Sequence, residues 1–536
     1  MLRATTRMQS QQGNVIKQAL ALHQQGRLDE ADRVYGAILA EEPDRLDALH
    51  LLGLLRHQQA RNVEALRLIG AVLQAIPRSV DVLNSHGLVL GALGRHDEAL
   101  ARFDEALALQ SNHMNALNNR ANTLAQLKRY EEAFAAYECL LAEKPDHLGA
   151  LNECGGLNTR LGRAEAALAC YDRALAITPL AELHVNKGTA LRAMNRDREA
   201  LASFAAAAAL KPECAEAHWN ASLVRLRHGD FETGWRDYEW RWRKADWVDR
   251  RRSFPVPLWL GEEPIEGKSI LLHAEQGFGD TIQFLRYVPL VARRGASVIL
   301  ECQPELQQLL RNVEGAMRVV CRGDPLPNFD LHCPLLSLPL AFATRFETVP
   351  NAIPYIEAPR LALQKWVPRL EAIARPRVGV VWAGSSVHPN DHNRSVALRK
   401  LVPLLSLDLV RFVSLQKSVA VDDMTVLPQS PNVLHVGDEL DDFADTAAVV
   451  AMLDLVIAVD TSVAHLAGAM GKAVALLLPF SPDWRWLLDR TDSPWYPTIR
   501  LFRQTAIGDW DAPLERLREE LAGAASGWPS HATARG

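Results

Sequence analysis

An aspartate stands at the start of a predicted helix, directly after a turn that contains two glycines. The turn ends Gly277-Phe278-Gly279, Asp280 follows, and an amphipathic helical pattern begins at about Thr281. Glycine lets a backbone approach a ligand closely, and a helix N-terminus favours negative charge. A carboxylate in this place either caps the helix or acts as a general base, and both roles remain open for Asp280.

A second polar loop follows the apolar residues 455–458 and opens another predicted helix. Its sequence is Asp460-Thr461-Ser462-Val463-Ala464-His465. Main-chain N–H groups at the helix start, together with the hydroxyls of Thr461 and Ser462, would form an anion site. His465 lies one helical turn after Thr461, where it either reaches a phosphate or ribose oxygen or serves as a buried structural histidine.

Three further polar residues follow predicted strands of the same half of the chain. Arg394 ends a polar loop after strand 377–383, and Gln416 and Lys417 come directly after strand 409–415. A planar guanidinium suits a phosphate, and a lysine can neutralise one. We predict that these residues bind a diphosphate, with solvated surface charge as the alternative for Arg394 and Lys417.

These residues all lie where short apolar runs end and helical patterns begin. Runs rich in Val, Ile and Leu predict strands at 269–273, 297–301, 317–321, 330–333, 377–383, 409–415, 432–436, 454–459 and 473–479. The pattern is typical of parallel sheets covered by helices on both faces, in which ligands bind at the carboxyl ends of the strands. It predicts two Rossmann-like lobes, 268–360 and 376–525.

The first half of the chain repeats itself every 33 or 34 residues. Proline recurs at 43, 77, 145, 179 and 212, and a small residue recurs at 53, 87, 121, 155, 188 and 222. Such a period predicts a solenoid of helix pairs over 12–245, followed by a linker at 246–267. Tryptophans cluster where the repeats end, at 235, 240, 242, 247 and 259. They are either a ligand cage or, as we predict, an aromatic cap.

An asparagine also recurs in the first helices of the repeats. The positions are Asn84, Asn118, Asn152, Asn186 and Asn220. A side-chain amide can both donate to and accept from the main chain of an extended ligand. These residues therefore predict a peptide groove, with hydrogen bonding within the repeats as the alternative.

Composition excludes several classes of protein. The 536 residues carry a net charge of −5, which argues against a dedicated nucleic-acid binder. No apolar run reaches the length of a membrane span, and the polar N-terminus lacks a secretory signal. Seven scattered cysteines without a Cys-x-x-Cys pair indicate a reducing cytoplasm. The last residues, 526–536, are expected to be a disordered tail.

The repeats resemble the tetratricopeptide repeat, which implies an all-α superhelix with a concave groove for a peptide or protein. The second half resembles the GT-B glycosyltransferases, most closely the bacterial heptosyltransferase-like family. The fusion with repeats is similar to the protein O-linked N-acetylglucosamine transferases. Gly279-Asp280 matches the family's first-strand loop, and residues 460–465 match its Asp-Thr-Gly-x-x-His donor loop with Ser462 in place of glycine. Arg394 is the nearest candidate for the family's donor-lobe cation.

The resemblance implies an inverting transfer from a nucleotide-diphosphate sugar to a protein or glycan acceptor recruited by the repeats. Asp280 would be the base, and neither a metal nor a cofactor would be needed. The alternative is a non-catalytic scaffold, in which the repeats bind a partner and the lobes bind a nucleotide or are a degenerate transferase.

Overall fold

The computed structural model describes residues 15–388 and 390–524, so the predicted tail at 526–536 lies outside the described residues. The described chain begins in helix α1, which continues to residue 24. The chain forms two compact units, Met1–Ala190 and Leu191–Gly536. The division falls inside a helix of the repeat array, whereas the predicted boundary of the array lies at residue 245.

The first unit consists of paired helices of 13 or 14 residues. After α1 come α2 Leu28–Glu41, α3 Leu46–Gln58, α4 Asn62–Ala75, α5 Val80–Ala92, α6 His96–Leu109, α7 Met114–Gln126, α8 Tyr130–Glu143, α9 Leu148–Arg160, α10 Ala164–Ile177 and α11 Ala181–Ala193, which crosses the boundary. The predicted helix pairs are therefore confirmed.

The repeated small residues lie where the two helices of a pair meet. A Cβ atom on Gly87 would lie 2.7 Å from the Phe103 ring, and one on Gly155 would lie 2.7 Å from the Tyr171 ring. The aromatic side chain of each second helix therefore packs directly on the backbone of the first. This packing explains why glycine and an aromatic residue recur at the same period.

The second unit continues the array and then changes architecture. Its helices are α12 Asp197–Leu210, α13 Ala215–Arg227 and α14 Phe231–Tyr238, followed by two 3₁₀ turns, Glu239–Arg243 and Ala245–Arg250. The chain then enters the acceptor lobe, the name used here for the sheet β1 Ser269–His273, β2 Ser297–Cys302, β3 Ala316–Cys321 and β4 Leu331–Pro334. These strands are parallel, in the order β3-β2-β1-β4.

Helices cover the acceptor lobe and connect it to the second sheet. They are α15 Phe278–Phe284, α16 Val288–Arg293, α17 Gln307–Leu310, α18 Leu338–Ala341 and α19 Arg360–Glu371. The second sheet, here called the donor lobe, has strands β5 Arg377–Val381, β6 Arg411–Ser414, β7 Val433–His435, β8 Leu455–Val459, β9 Val474–Leu478 and β10 Ile499–Arg503. Its helices are α20 Asp391–Arg394, α21 Leu398–Leu405, α22 Asp423–Val426, α23 Phe443–Ala451, α24 Ser462–Ala469 and α25 Asp511–Ala524.

The donor lobe is parallel, in the order β10-β9-β8-β5-β6-β7. This is the order of a doubly wound sheet. The order of the strands reverses between β5 and β8, which leaves a crevice at their carboxyl ends. The predicted parallel α/β architecture is confirmed. The strand β10 was not predicted.

The aromatic end of the array packs on the acceptor and donor lobes. Trp235 is buried, with its ring centroid 5.1 Å from Trp484 and 6.4 Å from Trp495. Arg241, which is fully buried, donates from Nη2 to both carboxylate oxygens of Glu275 at 3.0 and 3.2 Å. Burial raises the pKa of Glu275 to about 8, although Arg241 opposes that rise. The tryptophan-rich end is therefore the predicted cap, and it belongs to the same unit as the lobes.

A truncation series tests this division. A chain that starts at residue 181 retains α11–α14 and is expected to fold cooperatively. A chain that starts at residue 246 is expected to unfold at a much lower temperature. It loses Arg241, and leaving a buried carboxylate without its partner costs about 3–5 kcal/mol. Thermal unfolding followed by circular dichroism makes the comparison, and equal midpoints would contradict the cap.

Candidate functional site

The crevice of the donor lobe opens where β5 and β8 end. The chain leaving β5 is held there by Gln416, whose Oε1 accepts from the Trp382 and Ala383 N–H groups at 3.2 and 3.0 Å. Its Nε2 donates to the carbonyls of Ala383 and Ser418 at 3.1 and 3.0 Å. Gln416 is buried, and all its hydrogen-bonding groups are engaged by the main chain. Gln416 therefore positions the loop, and its predicted contact with the donor stays a prediction.

Arg394 lies in the crevice itself. Its Nη1 donates to the Asp460 carbonyl at 2.9 Å, and its Nε lies 3.4 Å from Asp391. A side chain at Gly384 would collide with the guanidinium, so the glycine after β5 makes room for it. The structure therefore brings Arg394 to the donor loop, as predicted from the sequence.

The predicted anion loop forms the first turn of α24. Thr461 is the N-cap residue, and its buried Oγ1 has no hydrogen-bond partner within the described chain. Ser462 follows as the first residue of the helix and remains half-exposed. An unpartnered buried hydroxyl beside free helical N–H groups suits an anionic ligand.

His465 lies on the next turn of α24 and is buried. Its Nδ1 is 3.0 Å from the Tyr496 hydroxyl, its ring stacks on Trp486 with centroids 5.3 Å apart, and its Nε2 is 3.9 Å from Asp460. Burial, reinforced by the charge of Arg485, lowers the pKa of His465 well below its ordinary value. The imidazole is therefore neutral at pH 7 and does not supply positive charge to a phosphate.

Lys417, which was predicted to bind the diphosphate, lies outside the crevice. Its Nζ donates to the Asp441 carbonyl at 3.2 Å, at the end of β6 and on the side of β5 away from β8. It lines a cavity of about 360 Å³ with apolar side chains, together with His435 at the end of β7. The apolar residues are Val419, Met424, Leu427 and Pro428.

Asp280 caps α15 and also faces the donor lobe. Its Oδ2 accepts from the Gly277 N–H at 2.8 Å, and its Oδ1 accepts from Arg485 Nη2. A Cβ atom on Gly279 would lie 2.8 Å from the His465 ring and 3.5 Å from the Ser462 Cα atom. The glycine turn of the acceptor lobe therefore lies on the first turn of α24, and the structure joins the two predicted motifs.

Arg485 completes the site, although the site residues predicted from the sequence do not include it. Its Nε donates to Gln283 at 2.5 Å, its Nη1 donates to Asp483 at 2.8 Å, and the guanidinium lies 4.3 Å from the Trp484 ring centroid. Burial lowers the pKa of Arg485, but Asp483 and Asp280 outweigh burial and the pKa is raised overall. The only signal in the sequence is an arginine between two tryptophans after a strand.

Asp460 is the carboxylate of the donor loop, and its pKa is raised. Burial, followed by the nearby charge of Asp483, raises the pKa of Asp460 to about 6. A raised pKa means that the ionised form is disfavoured in the fold. The site therefore keeps a carboxylate that lowers the stability of the fold at neutral pH. Such shifted pKa values are common at functional sites.

The asparagines of the array pair with one another between successive repeats. Asn119 donates to Asn84 at 3.0 Å, and Asn186 donates to Asn152 at 2.8 Å. Asn186 occupies the same position in its repeat as Asn119, two residues before the repeated small residue. The step between small residues from 155 to 188 is one residue shorter than the others. Asn118 is half-buried beside Asn119.

Asn220 lies in the second unit and differs from the other asparagines of the predicted groove. It is buried, and its Nδ2 donates to the Glu216 carbonyl at 2.9 Å. Its amide donor is thus engaged inside its own helix, and its place in the predicted groove stays a prediction.

Within residues 15–388 and 390–524, no group of three or more His, Cys, Asp or Glu side chains could hold a metal ion. In the same part of the chain, no helix is long and apolar enough to cross a membrane.

Comparison with known proteins supports the repeats directly. The sequence profile of the tetratricopeptide repeat matches residues 16–79, 84–147 and 185–234. The helical array consists of tetratricopeptide repeats. Such repeats typically bind protein partners.

Solved tetratricopeptide structures resemble part of this chain. A repeat protein from Parabacteroides merdae is 18% identical and covers 42% of this chain and 91% of its own, with a TM-score of 0.37. PilF from Pseudomonas aeruginosa is 20% identical and covers 38% and 94%, with a TM-score of 0.35.

Protein FlbA of Caulobacter vibrioides is 25% identical over 326 residues. The match spans only about half of that relative, 54% of its length. It covers 56% of this chain, about 300 residues, which is more than the 245 residues that precede the linker and the lobes. The similarity to FlbA therefore extends past the tetratricopeptide repeats.

The titration of Asp460 gives a test of the site's electrostatics. Asp460→Asn is expected to be more stable than the unmodified protein, because it removes an unfavourable charge. The advantage should grow as pH rises from about 4 to about 6 and stay level above that, at on the order of 2 kcal/mol. Thermal unfolding between pH 4 and pH 8 measures it.

Asp422→Asn, at an exposed aspartate, is the control and should show no such gain. An Asp460→Asn advantage that is the same at pH 4 and pH 8 would contradict the raised pKa.

Proposed function

We propose that the chain is a glycosyltransferase of the GT-B type. It moves a sugar from a nucleotide-diphosphate sugar to a protein or glycan acceptor that the tetratricopeptide repeats recruit. One observation carries the proposal: the turn that bears Asp280 lies on the first turn of α24, with Gly279 against His465 and Ser462. A carboxylate suited to a general base and a helix end suited to a diphosphate are thereby adjacent.

The donor would bind in the crevice between β5 and β8. Its diphosphate would lie on the N–H groups of α24, near the Thr461 and Ser462 hydroxyls and the Arg394 guanidinium. The cavity of about 360 Å³ beside Lys417 has an apolar lining with a few polar groups, which suits a nucleobase. These features support a nucleotide as the donor carrier.

The transfer would need three events at the anomeric carbon. Asp280 takes the proton of the acceptor hydroxyl, the acceptor oxygen attacks, and the bond to the diphosphate breaks with inversion of configuration. The helix end, the hydroxyls and Arg394 stabilise the negative charge that develops on the leaving diphosphate. Protein groups thus supply the stabilisation of the leaving diphosphate.

The second candidate is a non-catalytic scaffold that uses the repeats to bind a partner, with lobes that bind a nucleotide or are a degenerate transferase. Arg485 favours it, because this guanidinium already occupies one oxygen of Asp280. Ser462, in place of the glycine usual in the donor loop, favours it as well.

Substitution of the proposed base separates the two candidates. Asp280→Asn should still bind a nucleotide, yet lose transfer and donor hydrolysis by about 10²–10⁴-fold, the usual contribution of a general base. Binding is measured by thermal shift with UDP-, GDP- and ADP-sugars. A ligand at 100 times its Kd stabilises the folded protein by about 2.7 kcal/mol.

Asp511→Asn is the matched control, because Asp511 is exposed and pairs with Lys400 on the surface. Full hydrolysis by Asp280→Asn would exclude Asp280 as the base. If no nucleotide sugar stabilises the protein, the scaffold with degenerate lobes remains.

A further inference from the structure

The segment that follows β9 is attached at one end to the repeat array. In this segment, residues 480–490 and here called the β9 loop, the Phe480 carbonyl accepts from Asn195 Nδ2 at 2.8 Å. Ser481 Oγ donates to the Arg192 carbonyl at 3.0 Å and accepts from Arg227 Nη1 at 2.9 Å. All these residues lie in the second unit. The last repeats therefore hold the start of the β9 loop by side-chain hydrogen bonds.

The backbone of the β9 loop is strained further along. Leu487 has φ +52° and Asp489 has φ +51°, in a region that side chains with a Cβ atom seldom adopt. Such conformations persist only where surrounding contacts enforce them, and they cluster at functional sites. Leu487 is buried, so its conformation is fixed by packing.

Between the two ends, the β9 loop presents Arg485 to the acceptor lobe. The guanidinium bonds Asp280 and Gln283 on α15, and Asp483 within the loop itself. Asp280 is consequently held at both oxygens, by Arg485 and by the Gly277 N–H. A carboxylate fixed at both oxygens cannot rotate, and its remaining lone pairs keep one direction.

From these contacts we propose that Arg485 is a positioning residue for Asp280, and that Asn195 and Arg227 of the last repeats position the β9 loop that carries it. The inference rests on the proposed transferase function. The repeats then do more than recruit an acceptor, because their final helices form part of the support of the active site.

The geometry requires an arginine for this role. The planar guanidinium serves three separate oxygens at once, and the Trp484 ring lies against its face. A lysine supplies the same charge at a single point and cannot reproduce the three directions. Small errors in the placement of a catalytic group cost about 10²-fold in rate.

The test uses the full chain and separates turnover from binding. Arg485→Gln and Arg485→Lys are both expected to lower kcat for donor hydrolysis by about 10²-fold. Isothermal titration should show that their Kd for the corresponding nucleoside diphosphate changes less than about threefold. Asn195→Ala, which removes the bond to the Phe480 carbonyl and the bond that Asn195 Oδ1 accepts from Arg227 Nη1 at 3.2 Å, is expected to lower kcat by about tenfold at unchanged Kd.

Two controls match these variants in chemistry. Arg500→Gln removes an exposed arginine of the same lobe that pairs with Glu520, and Asn112→Ala removes an exposed asparagine of the array. Both should keep kcat and Kd. Thermal midpoints of all variants are measured alongside, and Asn195→Ala decides the outcome if the Arg485 variants do not fold.

Each alternative result has a distinct meaning. An unchanged kcat in Arg485→Lys and Asn195→Ala overturns the inference and leaves the transferase intact. A Kd raised tenfold or more at nearly unchanged kcat would make Arg485 a phosphate ligand, which also overturns it. If the unmodified chain neither binds nor hydrolyses a nucleotide sugar, the transferase itself fails.

Discussion

The acceptor-lobe turn can lie on the first turn of α24 only because residue 279 has no side chain. A single Cβ atom there would lie 2.8 Å from the His465 ring, so the contact leaves no space for any other residue. Through this contact the carboxylate of Asp280 comes within reach of Arg485, and the donor loop is covered by the acceptor lobe. The buried charges of the site depend on this approach, because it removes them from water and makes their partners necessary.

The charges around this contact are arranged to satisfy one another rather than to maximise stability. Asp280 and Asp483 share Arg485, Arg394 is bound to a main-chain carbonyl of the donor loop, and Asp460 is left with a raised pKa. A fold selected only for stability would not keep an aspartate in that position. The proposed function accounts for such an arrangement through a ligand that changes the local charge.

Much of this architecture follows from the sequence, because helical and strand periods are local. The helix pairs and nine of the strands lie close to their predicted positions, whereas β10 does not show in the pattern, since arginines at 500 and 503 interrupt an edge strand. The glycine-rich loop at 277–279 and the hydroxyl-rich loop at 460–465 were likewise visible as motifs in the sequence. Arg485 was not, because two of its partners, Asp280 and Gln283, belong to another lobe. The bonds of Gln416 to the chain that follows β5 were not visible either, because Trp382 and Ala383 are remote from it in sequence.

The division of the chain within α11 has a consequence for how such a protein can diversify. Every contact described at the candidate site, from Asn195 to Arg485, lies within residues 191–536. Tetratricopeptide repeats interact mainly with their immediate neighbours, so whole repeats can be gained or lost at low cost. Duplication or deletion upstream of α11 would therefore alter the length of the repeat array and leave the candidate site unchanged. Under the proposed transferase function, acceptor range and catalysis would be separately evolvable traits of one polypeptide.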